Sequence, residues 1–480
     1  MSSTSRTVTL LPGDGIGPEV IGAARRVVDA CDLGISWETC RAGKAVFEDG
    51  DATGVPDETM ASIQRNRVAL KGPLETPIGF GGKSANVTLR KMLETFGNIR
   101  PARIMPGIET PFSDRPIDMV VVRENVEDLY AGIEHMQTPS VAQCLKLVSE
   151  RGCEKITRLA FEVARSQGRG SVHCVTKANI MKLTEGMLKR VFERVATEYP
   201  EIEPKYILVD NCAHQLVRVP EEFEVLVSTN MNGDILSDLV SGLVGGLGIA
   251  PGANMGLHAC IFEAVHGTAP DIAGKGLANP TAAILSAVMM LRHIDAFDAA
   301  DRVEAAIALA MQNGPRTGDL AKRGEGVGTD EFTNAVLDNL GKEPAGWVRR
   351  QHQPLVLPDV GECETVPKSR RDIGCDLFLE GRVSPGEIGA RLEELAEGTP
   401  LALKIISNRG TVVYPLTGAP TDCVDHWRCR FLARDPKADL SYADVAALMV
   451  KVTQIYRLIH LEMLLEVDGK RAYALAQGED

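Results

Sequence analysis

Short, continuous apolar runs that end abruptly in polar turn residues alternate with helix-period stretches along most of the 480-residue chain. Nothing else in the sequence constrains the fold as tightly. A run of this kind is too uniformly apolar to be half exposed, so it reads as a strand buried on both faces, and a layered α/β architecture follows. Thr7–Leu11 is the first such run. A Gly-rich turn and a helix over Pro18–Cys31 follow it, with Pro18 in the first helical turn, where a missing N–H costs nothing. Asp118–Val122 is a second buried strand, and Phe223–Asn230 a third that leads through Met231-Asn232-Gly233 into a helix from about Asp234.

Near Gly341 the composition turns to Pro, Gly and charge, which marks a linker over residues 344–371. A separate unit, 372–480, follows. It should contain a strand at Asp376–Leu379 and a helix capped by Ser384-Pro385-Gly386-Glu387 with Ile388, Leu392 and Leu395 on one face. A hairpin around Ser407-Asn408-Arg409-Gly410 comes next, then a strand at Trp427–Leu432. A long helix from Ser441-x-x-Asp444 to Gly469 completes a small α+β domain with no catalytic constellation.

Composition removes several function classes. With 52 Lys and Arg against 65 Asp and Glu, the net charge is −13, which argues against a nucleic-acid surface. Apolar residues at 44% and charged residues at 24% exclude a disordered chain. No run reaches the ~18 apolar residues of a membrane span. The first strand begins at about Arg6, leaving no room for a leader. Eleven cysteines, an odd number without a C-x-x-C pair, read as reduced and mostly buried thiols of a cytoplasmic protein.

The chemistry lies in a few segments. In Asn232-Gly233-Asp234-Ile235-Leu236-Ser237-Asp238, Asp234 and Asp238 are four apart and share a helix face. Mg²⁺ or Mn²⁺ would relieve their repulsion; dipole complementation by Asp234 and a solvated Asp238 is the alternative. Asp210 ends another apolar run and could be a third ligand. Arg90, Arg100 and Arg123 fall near strand and helix ends, where planar guanidinium forks suit a polycarboxylate, although each alone reads as a surface residue. Lys177 follows a β-like segment, where a neighbouring metal would make it a base, and Tyr130 is a possible acid. Small residues around His266 would let the backbone approach a ligand closely. The turn Gly13-Asp14-Gly15-Ile16-Gly17 fits the dinucleotide G-x-G-x-x-G fingerprint poorly.

Together these segments resemble the isocitrate and isopropylmalate β-decarboxylating dehydrogenases over about residues 6–340, and the remainder resembles a long bacterial subtype with an added C-terminal domain. The resemblance implies a non-Rossmann α/β fold, with a large domain (1–95 with 245–343), a small domain (96–244) and a dimer-forming clasp at about 128–151. It implies NAD-dependent oxidative decarboxylation of isocitrate, assisted by Mg²⁺ or Mn²⁺, in a homodimer or a larger assembly formed through the C-terminal domain. Arg90, Arg100 and Arg123 match substrate-carboxylate ligands, and Ser84 and Asn86 the pair that distinguishes isocitrate from isopropylmalate. Asp234 and Asp238 match metal ligands, joined by Asp210 from the neighbouring subunit. Lys177, also from that subunit, and Tyr130 match the acid/base pair. Thr76, Asn179, Glu263, His266, Gly267, Thr268, Ala269, Asp271, Ile272, Asn279 and Asp319 fall where the cofactor lies. The resemblance points to NAD because Asp271, Ile272 and Gly318 stand where NADP-using relatives carry Lys and Tyr residues, so that Asp271 would repel a 2′-phosphate. Lys322 departs from that pattern. A relative acting on homoisocitrate, isopropylmalate or tartrate, and a non-catalytic regulatory subunit, are the competing readings; the intact set Lys177, Tyr130, Asp210, Asp234 and Asp238 weighs against the latter.

Overall fold

The computed structural model describes residues 6–75, 84–322, 324–361, 366–416, 418 and 420–479. These form two compact units, one of residues 1–131 with 147–361 and one of residues 132–146 with 362–480. Among the described residues no helix is long and apolar enough to cross a membrane.

The first unit is built on ten strands: β1 (Arg6–Leu11), β2 (Ile35–Thr39), β3 (Val68–Lys71), β4 (Gly97–Arg103), β5 (Asp118–Glu124), β8 (Ser171–Thr176), β9 (Glu203–Leu208), β10 (Val225–Ser228), β11 (Pro251–Met255) and β12 (Cys260–Ala264). The intervening β6 (Glu134–Thr138) and β7 (Val141–Cys144) pair with each other in the second unit. Sheet order is β2-β1-β3-β12-β11-β4-β5-β10-β8-β9. The two flanks are parallel, as helical crossovers require. The middle, β12-β11-β4-β5, is antiparallel. This mixed centre is not a dinucleotide-binding doubly wound sheet, and it explains why the first Gly-rich turn fits that fingerprint badly.

Register does the rest. Ser228, Arg123, Asn98 and Asn254 are successive cross-strand partners, so they line up on one face of the sheet. Arg100 lies two residues beyond Asn98, and Glu263 is paired with Lys71, both on that same face. The apolar run Met119–Val122 is fully buried, as its composition predicts. The helix Gly17–Asp29 carries Pro18 in its first turn and packs Val20, Ile21, Ala24, Val27 and Val28 inward.

The helix expected from about Asp234 begins a full turn earlier, at Asn230. Its first N–H groups are served from a distance, with Met231 N donating to the Asp128 carboxylate at 2.9 Å. No local cap marks the true start.

The second unit holds β13 (Arg370–Glu380), β14 (Leu401–Asn408), β15 (Thr411–Tyr414), β16 (His426–Ala433), β17 (Arg457–Val467) and β18 (Lys470–Arg471), in the order β15-β14-β16-β13-β17-β18. Both expected capping boxes form, Ser384 with Glu387 and Ser441 with Asp444. The long helix to Gly469 does not. It stops at Thr453, and Arg457–Val467 is a strand antiparallel to β13. Leu458, Leu461 and Leu464 spaced three apart mimic a helix face, but pairing against a central strand overrides that local preference. Asp468 and Gly469, at φ 51° and 72°, make the tight Asp-Gly turn into β18.

Candidate active site

Arg123 is the centre of the arrangement. Its side chain is 1% exposed. Nε donates to the Asn230 carbonyl at 2.9 Å, Nη2 to the Asn230 side-chain oxygen at 2.8 Å, and Nη1 to Asp234 at 2.5 Å. Helix and strand can come this close only because residue 233 is glycine. A Cβ there would stand 2.7 Å from Arg123 Cγ. Arg100 donates to Ser237 Oγ at 2.6 Å and lies 3.3 Å from Asp234 and 3.5 Å from Asp238. Burial, and then the charge of neighbouring arginines, pushes the pKa of Arg100 and Arg123 down.

Asp234 thus carries the counter-charge for two buried cations. Burial works against its ionisation, but Arg123, the Tyr130 hydrogen bond and Arg100 outweigh it and hold Asp234 below the usual carboxylate range. Asp238, on the same face one turn on, is raised by burial, which Arg100 offsets only in part. Tyr130 donates to Asp234 Oδ2 at 2.5 Å beneath the Arg123 guanidinium. Burial first, then that bond, raises the phenol and keeps it protonated.

A second cluster adjoins the first. Lys71, 2% exposed along its side chain, forms an ion pair with Glu263 and donates to Asn86 Oδ1 at 2.9 Å. Arg90 reaches Glu263 at 3.3 Å, while its Nε is buried without a partner. Asn254 donates to Glu263 at 2.7 Å and accepts from Asn98 at 2.8 Å. Burial pushes Glu263 up, yet Lys71 and Arg90 together bring it down to about 2. A cavity of about 120 Å³ opens between these groups, lined among others by Asn86, Arg90, Arg100, Glu263 and His266. The orphaned Arg90 Nε and cationic wall suit an anionic ligand.

His266 and Gly267 line the same cavity. His266 bonds through Nδ1 to the Gly267 carbonyl at 3.0 Å, and its Nε2 is buried without a partner. Thr268 carbonyl accepts from Ile16 N at 3.0 Å, and Gly15 stands so close to it that a Cβ would lie 2.1 Å away, so the first Gly-rich turn packs on this loop. Ala269 has φ 40° and accepts through its carbonyl from Ile272 N at 3.1 Å. Asn279 donates to Asp319 at 2.9 Å. Ser84 precedes the helix Ala85–Met92 that carries Asn86 and Arg90. Thr76 lies outside the described residues.

Lys177 and Asp210 form their own pair at 2.8 Å. The hydrogen bond from Lys177 holds the Asp210 carboxyl below its usual range. Asn179, beyond Lys177, is exposed. Neither Lys177 nor Asp210 has a hydrogen bond or ion pair to Asp234 among the described residues. No group of three His, Cys, Asp or Glu is placed to hold a metal there either. Asp234 and Asp238 alone offer two hard oxygen donors, an incomplete set that fits Mg²⁺ or Mn²⁺ once substrate and a further carboxylate join.

Several site residues escape sequence reasoning. Lys71 ends an otherwise apolar strand, a signal that could have been read. Asn98, Asn254 and Asn230 carry no signal without the register. Glu185 accepts from Lys177 N at 3.0 Å, from Thr229 Oγ1 at 3.0 Å and from Asn232 at 3.3 Å, tying Lys177 to the helix of the aspartates.

Comparison with known proteins agrees with this geometry. Residues 7–336 match the model for "Isocitrate/isopropylmalate dehydrogenase", and residues 370–479 that for "Bacterial isocitrate dehydrogenase, C-terminal domain". The chain belongs to the isocitrate/isopropylmalate dehydrogenase family. An isocitrate dehydrogenase [NADP] of Thermus thermophilus is 55% identical over 99% of this chain and 96% of its own length. That of Rickettsia conorii is 38% identical over 98% and 99%. A crystal structure of the TT0538 protein from Thermus thermophilus covers 100% of the chain and 97% of its own, with a TM-score of 0.96 at 55% identity. The fold is therefore the isocitrate/isopropylmalate dehydrogenase α/β fold with a C-terminal sheet-containing domain.

These relatives overturn the expectation of NAD, because each of the two is named for NADP and matches over nearly its full length. Solvation blunts the repulsion expected of Asp271. Asp271 is exposed, and Lys275 folds back to within 2.7 Å of its carbonyl oxygen. In bulk water a like-charge pair at 4 Å costs only about 1 kcal/mol, and a neighbouring cation offsets it. Lys322 is exposed as well.

Proposed function

We propose that the chain catalyses the NADP-dependent oxidative decarboxylation of isocitrate to 2-oxoglutarate and CO₂, with reduction of NADP⁺ to NADPH. The observation that carries this reading is the convergence of Arg90, Arg100 and Arg123 on the face that also holds Asp234, Asp238 and Tyr130. Initial rates with isocitrate test it, measured with NADP⁺ and with NAD⁺, with and without a chelator. NADP⁺ should exceed NAD⁺ in kcat/KM by at least ~10²-fold, about 3 kcal/mol at 1.4 kcal/mol per decade, and chelation should abolish turnover. Comparable use of both cofactors, or turnover in chelator, contradicts it.

Arg100 and Arg123 bind the substrate carboxylates, trading Asp234 for them. The exchange keeps both guanidiniums paired and releases the aspartate oxygens. Asp234 and Asp238, with Asp210 of the partner subunit, would then hold Mg²⁺ or Mn²⁺, whose Lewis acidity polarises the substrate hydroxyl and carbonyl oxygens. Ser84 and Asn86 read the third carboxylate arm, with Asn86 fixed by Lys71. Lys177 Nζ of the partner subunit takes the hydroxyl proton, and the Tyr130 hydroxyl returns a proton to the carbon that loses CO₂. His266, Gly267, Thr268, Ala269, Asp271, Ile272, Asn279 and Asp319, with Asn179 and Glu263, border the dinucleotide. The unit works as a homodimer at minimum, in the cytoplasm. Residues 1–95 with 245–343 act as a cofactor lobe and 96–244 as a lobe carrying the clasp, and 344–371 leads to the C-terminal domain.

Gly233→Ala isolates the role of Arg123. The added methyl displaces that side chain, so KM for isocitrate should rise about tenfold, the equivalent of 1.4 kcal/mol, with an unchanged circular dichroism spectrum. An unaltered KM removes Arg123 from substrate binding.

A further inference from the structure

We propose that Glu124 is a positioning residue for substrate binding, which holds Arg123 in its binding orientation through the side-chain amide of Asn230. The inference rests on Arg123 as a ligand of the substrate carboxylates, a reading that Gly233→Ala judges separately.

Arg123 and Glu124 are neighbours at the end of β5, so their side chains leave the strand on opposite faces. Asn230, at the start of the helix that carries the aspartates, reaches both. It is 1% exposed, and its Oδ1 accepts from Arg123 Nε at 3.1 Å and from Nη2 at 2.8 Å. Its Nδ2 donates to Glu124 Oε2 at 3.3 Å and to the Glu127 carbonyl at 3.4 Å. A guanidinium has donors only, so this edge of Arg123 is held while the amide oxygen faces it. Acceptors must therefore stand on the other side of the amide, and Glu124 is the charged one.

Glu124 is itself fixed by the loop that follows it. It is 7% exposed, and Oε1 accepts from Val126 N at 2.7 Å and Glu127 N at 3.0 Å; Glu127 N also lies 3.0 Å from Oε2. Among the described residues Glu124 takes part in no ion pair. Beside it, a cavity of about 10 Å³ is lined also by Glu127 and Asp128 of its own loop and by Cys153 of the helix Glu150–Ser166. Glu185, on the helix Thr184–Ala196, accepts from Thr229 Oγ1 at the same cavity. None of these groups is a cation. The three carboxylates have work elsewhere: Glu127 accepts from Ser149 N at 2.8 Å, Asp128 from Met231 N at 2.9 Å and Glu185 from Lys177 N at 3.0 Å. Arg123 lies on the far side of the Asn230 amide.

Burial outweighs the loop N–H groups and pushes Glu124 up to about 7, with the charge of Glu127 adding to the rise. A proton taken up there has a definite place. Two N–H groups already fill Oε1, so the proton goes to Oε2 and points at the Asn230 amino group. Donor then meets donor, the amide is displaced, and Arg123 loses part of its anchor. The relay is closed above about pH 7 and opens below it.

Steady-state kinetics of the full chain with isocitrate, NADP⁺ and Mg²⁺ test the proposal. Glu124→Gln keeps the side-chain shape and the acceptor for the loop, and puts an amino group where the proton would sit. At about pH 8 its KM for isocitrate should stand about tenfold above that of the unaltered chain, with kcat changed less than about twofold. The ratio of the two KM values should fall toward one at about pH 6, where the unaltered chain is protonated as well. Taking the ratio cancels the titration of isocitrate and of the metal ligands. Asn230→Asp added to Glu124→Gln reverses the polarity of the pair at constant charge, and should bring KM back to within about threefold of the starting value. An unaltered KM in a folded Glu124→Gln chain, a ratio independent of pH, or a double variant no better than the single one would overturn the proposal. Where Glu124→Gln does not fold, Glu124→Asp decides: its carboxylate is a methylene short of Asn230, so KM should rise with kcat held, and an unaltered KM refutes the role. A raised KM in Gly233→Ala beside an unaltered one in Glu124→Gln removes Glu124 and keeps Arg123, whereas unaltered values in both remove the two together.

Discussion

Asp234→Asn is expected to lower kcat for isocitrate by at least ~10³-fold, about 4 kcal/mol of transition-state stabilisation, and to leave the chain folded. The carboxylate does one thing in the resting protein and another during turnover. At rest it neutralises Arg123 and Arg100 and accepts the Tyr130 hydroxyl. Asparagine keeps a carbonyl oxygen for one of those bonds, so the cost is that of weakened buried hydrogen bonds, about 1–3 kcal/mol. During turnover the substrate carboxylates satisfy the arginines, and the loss falls on the metal ligand and on the alignment of Tyr130. Steady-state kinetics at saturating Mg²⁺, beside a thermal melt, reads both effects. Near-normal kcat would remove Asp234 from the metal site. Asp238→Asn should cost less stability, because its side chain is 57% exposed and lies 3.5 Å from Arg100.

The spacing of Asp234 and Asp238 is legible because a helix converts sequence distance into a shared face, and the helix Asn230–Val244 does so. Arg123 is legible as a strand end, since apolar continuity over Met119–Val122 stops there. Its neighbours are another matter. Asn98 and Asn254 meet Arg123 only through antiparallel pairing of β4, β5 and β11, and register is a property of the assembled sheet. Asp128, which serves the N-terminus of the aspartate helix, is a hundred residues away in sequence. The misread β17 shows the opposite failure. Its helix-like spacing is local and real, but the Asp468-Gly469 turn after it was the better guide. Cofactor preference is illegible for a third reason, in that the effect of one charge depends on its solvation.

Glu263→Ala should destabilise the chain by about 3–5 kcal/mol, the range for breaking a buried ion pair from one side. Lys71 is buried to 2% of its side-chain surface. Burial alone drives its pKa down, and Glu263 is the main group restoring its charge. Without that carboxylate, Lys71 must lose its proton or stand as an uncompensated charge. The same pair leaves an acid signature in the native protein. The Glu263 carboxyl falls from 4.5 to about 2 on folding, so its contribution is complete above the unfolded value and is lost as pH falls toward 2. That lowering corresponds to about 3 kcal/mol. The double variant Glu263→Leu with Lys71→Met removes both charges while keeping their volume. It should recover much of the loss and flatten the stability profile between pH 4.5 and 2. Denaturant titrations of the three proteins across that range check the sign. If Glu263→Ala and the double variant were equally unstable, the loss would come from packing and from the Asn254 hydrogen bond, and the charge of Lys71 would have no part in holding this face of the sheet together.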